Sequence, residues 1–161
     1  MKKPQALLKE LSLFSELTNF ECDHIASLCR LVEGNAGDRL IAEGEQVRTL
    51  YFLVSGELSV TKGHGAGQNV LIATVGKGAV LGEMALLERL PASATVEATG
   101  PFQALAIELN VFTRLIENSP LLGYKIFKKM AQITSYRLRI ASGQLAEYKS
   151  VAQSPIPEST G

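Results

Sequence analysis

Eleven of the chain's 14 glycines crowd between Gly34 and Gly100, and this spacing limits the possible folds more than any other feature. Glycine reaches turn conformations that other residues resist, so a regular series of glycines marks a regular series of turns. Between them lie short runs suited to strands: Arg39–Ile41, Leu50–Val54, Leu58–Thr61, Val70–Val75, Thr95–Ala98 and Phe102–Ile107. Leu58 and Val60 alternate with polar neighbours, the pattern of a half-buried strand. Strands this short, broken roughly every seven to twelve residues, build a sandwich, a barrel or a jelly roll. No crossover helix interrupts the stretch, which argues against a doubly wound α/β sheet.

Both flanks read as helical. Leu7, Leu8, Leu11 and Phe14 fall at helical spacing, and Thr18-Asn19-Phe20-Glu21 has the form of a capping box that opens a helix running to about Arg30. After Ile107, Asn110 is placed to cap a short helix over Val111–Asn118. Ser119-Pro120 then supplies a cap and a first-turn proline for a long helix that reaches about Tyr148, weakened at Gly143. The Pro/Ser-rich end reads as a disordered tail. The expected divisions are N-terminal helices over 1–30, a β roll over 31–109, C-terminal helices over 110–149 and a tail over 150–161. The expected fold is thus mainly β with flanking helices.

Composition excludes several functions. At 46% hydrophobic and 20% charged, the chain suits a packed core and not a disordered one. The formal charge is zero, so the total gives no sign of nucleic acid or an anionic membrane. Its distribution is uneven, however: residues 1–110 lean acidic, whereas Arg114, Lys125, Lys128, Lys129, Arg137, Arg139 and Lys149 outnumber Glu117 and Glu147. Lys9 and Glu10 interrupt the apolar stretch near the start, which removes a secretory signal, and no apolar run of about 18 residues could cross a membrane. A cytoplasmic location is expected. Cys22 and Cys29 lie about 10 Å apart if both sit on one helix, too far for a disulfide and without a metal-site spacing. With only His24 and His64 available, and no nucleophile beside a base, neither a metal site nor an enzyme is expected.

The segment from Gly76 to Val96 carries the functional signal. Gly82 can bring backbone close to a ligand, and Glu83 follows it in otherwise apolar surroundings. Met84-Ala85-Leu86-Leu87 can form a helical turn whose free N–H groups face an anion. A glycine, a carboxylate and such a turn together suit a ribose hydroxyl next to a phosphate. Gly82-Glu83-Met84-Ala85-Leu86-Leu87, through Pro91 to Ala94-Thr95-Val96, resembles the phosphate-binding cassette of the cyclic-nucleotide-binding domain family. That family includes regulatory subunits of cyclic-AMP-dependent kinase and the catabolite activator protein. The resemblance extends over about residues 10–140. It takes in Leu13-Phe14 with Leu17, Ala36-Gly37-Asp38, Glu43-Gly44-Glu45, Tyr51 to Gly56, and Val111-Phe112 through Pro120.

This resemblance implies an eight-stranded β roll (jelly roll) with N-terminal helices and a long C-terminal helix, and a regulatory sensor function. It gives Gly82, Met84 and Ala85 backbone roles at a cyclic phosphate and Glu83 the ribose 2′-hydroxyl. It also places a phosphate-pairing arginine directly after the cassette proline. Here that residue is Ala92, so weak binding is expected, because losing one partner of a buried charge pair costs roughly 2–5 kcal/mol. Ser93 can keep one contact, and Arg89 can reach in from the loop. Two functions therefore stay open: a sensor that binds cAMP, cGMP or a related ligand, and a degenerate domain without nucleotide that mediates protein interaction or dimerisation. The long helix carries two apolar stripes, one of Phe127, Ala131, Thr134, Leu138, Ala141, Leu145 and Tyr148, the other of Ile126, Met130, Ile133 and Ile140. One is expected to cover the pocket mouth and the other to pair two copies as a homodimer. About a dozen residues follow Tyr148, too few for a helix-turn-helix, so DNA binding is not expected.

Overall fold

The computed structural model describes residues 3–152; residues 153–161 of the expected tail lie outside them, and its first three, 150–152, are helical. Eight strands form two antiparallel four-stranded sheets. They are β1 (Arg30–Gly34), β2 (Arg39–Ile41), β3 (Thr49–Ser55), β4 (Leu58–His64), β5 (Gln68–Val75), β6 (Val80–Leu81), β7 (Thr95–Ala98) and β8 (Phe102–Glu108). One sheet has the order β1-β8-β3-β6 and the other β2-β7-β4-β5. Every strand read from the glycine spacing is present. The spacing left out β1 and β6: Leu31 and Val32 follow directly on the preceding helix, and β6 is two residues long.

The run Leu50–Val54 is apolar at every position because both faces of β3 are covered. Leu50, Phe52 and Val54 face the helices, while Leu53 faces the interior between the sheets with Leu58, Leu81, Val96, Phe102 and Ala104. Phe52 joins the two flanks of the chain. Its ring meets Phe14 edge-on at 5.0 Å and Phe112 at 6.1 Å.

The N-terminal flank comprises α1 (Pro4–Lys9), a 3₁₀ turn (Ser12–Phe14) and α2 (Asn19–Leu28). Leu7, Leu8, Leu11 and Phe14 are all buried. The capping box forms as read: the Glu21 amide donates to Thr18 Oγ1 at 3.2 Å, and the Thr18 amide donates to Glu21 Oε2 at 2.7 Å. Cys22 is buried and Cys29 half-buried just past the end of α2. Burial pushes both thiols up, Cys29 to about 12, so they pack as small apolar groups.

After the cassette helix α3 (Glu83–Glu88) and the last strands come α4 (Leu109–Asn118) and α5 (Pro120–Ala152). Asn110 lies inside α4 and does not cap it; the cap position is Glu108, whose backbone is still extended where β8 ends. Pro120 opens α5 as read, and the helix continues through Gly143. Ile126 and Met130 bury themselves among the N-terminal helices and α4, with Phe127 and Ile133 half-buried beside them. The charge asymmetry follows from this packing. Lys125 pairs with Glu21 at 2.9 Å, while Lys128 and Lys129 reach Glu16 at 3.5 and 3.7 Å. The basic helix thus docks on acidic residues at the other end of the chain. No helix among the described residues is long and apolar enough to cross a membrane.

Candidate functional site

Gly82 turns the chain from β6 into α3, and its neighbours leave no room for a side chain. Its φ is +86°, and a Cβ there would stand 2.9 Å from the Thr49 carbonyl oxygen and 3.0 Å from Val47 Cγ1. Glycine is required on both counts. Arg89 ends α3 in the left-handed conformation with φ +55°. The chain then returns toward the turn after β2, where two backbone hydrogen bonds pin it. The Ala92 amide donates to the Glu45 carbonyl at 2.9 Å, and the Gly44 amide donates to the Ala92 carbonyl at 2.8 Å. One step further, the Glu43 amide donates to Thr95 Oγ1 at 3.0 Å. The Glu43-Gly44-Glu45 turn is therefore the brace that fixes the cassette loop.

These constraints shape a cavity of about 240 Å³, somewhat below the range of roughly 300 to 1,000 Å³ usual for ligand pockets. Its floor is aliphatic, from Ile41, Val60, Val75, Val80 and Val96, and Gly82, Glu83, Met84, Ala85, Ala92 and Ser93 all lie on its wall. The charged groups on that wall are Glu83, Glu88 and Arg137.

Glu83 is half-buried at the start of α3. Burial raises its carboxyl above the ordinary value. A hydrogen bond from its own backbone amide and the charge of Arg137 oppose that rise without cancelling it. The Ala85 amide is already engaged, donating to the Gly82 carbonyl at 3.1 Å. Ser93 Oγ lies 3.8 Å from the Met84 sulfur, which links the two ends of the cassette. Arg89 does not enter the cavity: it lines a separate polar depression on the other side of α3 with Arg48 and Glu108.

Residues 31–119, more than half the chain, match the family model of the cyclic nucleotide-binding domain. The chain belongs to this family. Glutaminase 2 of Bradyrhizobium diazoefficiens is 35% identical over 143 residues, covering 89% of this chain and 22% of that protein. The cAMP-dependent protein kinase regulatory subunit of Yarrowia lipolytica is 34% identical over 109 residues, covering 68% of this chain and 28% of that protein. The chain thus spans about a quarter of the length of such curated relatives. Among solved structures, a cyclic nucleotide-binding domain from Methylobacillus flagellatus superposes with a TM-score of 0.77 at 25% identity, over 91% of this chain and 82% of that one.

Gly82 and Glu83 both stand on the cavity wall, and the residue directly after Pro91 is Ala92. Arg137, 45 positions beyond Ala92, brings a positive charge to the same wall. Sequence reasoning missed it. Several cations recur along α5, and helical periodicity alone does not say which one passes the mouth of the roll. The bracing role of Glu43 and Glu45 is likewise a property of their backbone, which no residue pattern announces.

Proposed function

We propose that this domain is a regulatory sensor that binds cAMP, cGMP or a related cyclic phosphate in the cassette cavity. The observation that carries the reading is a half-buried carboxylate, Glu83, set immediately after a glycine whose conformation other residues rarely take. In this reading the carboxylate accepts a ribose hydroxyl, the backbone at Gly82 and Met84 lies against the phosphate, and the aliphatic floor receives the sugar and base edge. Buried polar groups of this kind discriminate strongly, because a ligand without the hydroxyl leaves the carboxylate unpartnered. The chain works as a binding module in the cytoplasm and catalyses no reaction itself.

A second reading, a module that recognises protein without nucleotide, is favoured by the far half of α5. Leu138 and Leu145, seven residues apart on one stripe, are 66% and 55% exposed there, a face suited to a second copy of the chain. The two readings separate on titration of the unaltered protein, and one variant then tests the site. Calorimetric titration with cAMP and cGMP up to millimolar concentration is expected to show binding by the unaltered protein and at least tenfold weaker binding by Glu83→Ala, with the melting temperature preserved. Equal affinity of the two proteins would remove the cassette from the site.

A further inference from the structure

The residue directly after Pro91 on the cavity wall is Ala92, and a cation reaches that wall from elsewhere in the chain. Among the described residues, Arg137 is the one cation on the wall of the cassette cavity. Its neighbours on α5 are otherwise engaged or turned elsewhere. Lys125, Lys128 and Lys129 pair with Glu21 and Glu16. Arg139, two residues on and so about 200° around the helix, lines an open groove with Tyr136 and Lys128. Arg89 and Arg48 belong to the depression behind α3.

Arg137 also sits on the part of α5 that the body does not hold. Buried anchors end at Met130, and from Thr134 to Glu147 the helix is exposed. Its charge is felt by Glu83 across the cavity. Guanidinium is suited to this position: its planar fork donates two parallel hydrogen bonds to phosphate oxygens, and it stays charged beside a half-buried carboxyl.

Resting on the functional reading above, we propose that Arg137 supplies, from the C-terminal helix, the positive charge that a bound cyclic phosphate lacks at Ala92. A cassette arginine would hold the phosphate from within the roll. An arginine on α5 makes the phosphate a tie between the roll and the helix. On binding, Glu83 accepts the ribose hydroxyl, Arg137 turns to the phosphate, and the far half of α5 gains an attachment to the ligand.

The test is cAMP affinity by calorimetry together with amide hydrogen exchange over residues 134–147, in the unaltered chain and three variants. Arg137→Gln is expected to weaken cAMP at least tenfold and to abolish ligand-dependent protection of 134–147 at saturating cAMP. Arg139→Gln is expected to change neither. Adding Ala92→Arg to Arg137→Gln restores affinity but not protection, since the phosphate is then held by the roll alone. Unchanged affinity in Arg137→Gln overturns the inference and leaves the functional reading standing. A loss that Ala92→Arg fails to restore, in a variant with the native melting temperature, overturns it too, because the arginine would then serve something other than the phosphate. Absence of cAMP and cGMP binding by the unaltered chain would defeat the functional reading and this inference with it.

Discussion

Replacing Gly82 with alanine isolates the geometry on which the cassette depends. Two separable costs can be worked out. At φ +86° a residue with a Cβ is disfavoured by about 1–2 kcal/mol. The new Cβ also meets the Thr49 carbonyl oxygen at 2.9 Å, and that oxygen belongs to the first residue of β3, held in the ladder with β8. A shift of backbone to relieve it adds on the order of 1 kcal/mol, while the stiffer unfolded chain offsets about 0.4–1 kcal/mol. The net loss is roughly 2 kcal/mol, or a melting temperature lower by about 4–8 °C for a domain of this size. Two comparisons make the reasoning testable. Gly37 has the same left-handed backbone, φ +89°, with nothing within 4 Å of a Cβ, and Gly76 has neither strain nor neighbours. Urea unfolding of the three alanine variants is expected to rank Gly82→Ala least stable, Gly37→Ala intermediate and Gly76→Ala near the unaltered protein. Equal losses at Gly82 and Gly37 would show that the close approach to Thr49 carries no energy, and the account of the turn would fail.

Two further outcomes follow from the docking of α5. Burial raises the Glu21 carboxyl, but the hydrogen bonds from Lys125 and Thr18 outweigh it, and the group titrates below its ordinary value. A lowered folded value means that its contribution is present above the unfolded value of about 4.3 and is lost as pH falls through the folded one. Melting temperature is therefore expected to drop in that acid window by the equivalent of roughly 1 kcal/mol, and Glu21→Gln is expected to show the loss already at pH 7; parallel pH profiles for the two proteins would contradict the pairing. The exposed stripe through Leu138 is expected to hold a homodimer, so Leu138→Glu turns a sedimenting dimer into a monomer while leaving the roll folded. An unaltered protein that sediments as a monomer at high micromolar concentration would rule out that interface.

The parts of the fold that were legible in the sequence are those whose signals are local. Glycine spacing marked six of the strands because each turn needs its own residue, and Thr18 with Glu21 announced α2 because the capping box lies within four positions. The short strands β1 and β6 escaped because each is recognised only by its partner, Arg30–Gly34 against β8 and Val80–Leu81 against β3. Asn110 has the residue type of a cap but lies inside α4, because β8 runs straight into that helix. At the site, the contiguous segment Gly82–Ser93 could be read as one unit, and the structure brings it to one cavity. Arg137 could not be read there, since its approach depends on how α5 leaves the N-terminal helices. Arg89 sat nearer in sequence, but the left-handed end of α3 sends it to the opposite side.

The central claim is that the cavity behind Gly82 and Glu83 takes a cyclic nucleotide. Calorimetric titration of the unaltered chain with cAMP and with cGMP, carried from micromolar to millimolar ligand, tests it most directly. The account predicts saturable one-to-one binding of at least one of them, matched by a rise in melting temperature that grows with ligand concentration. No heat of binding and no stabilisation by either nucleotide at millimolar concentration would contradict it.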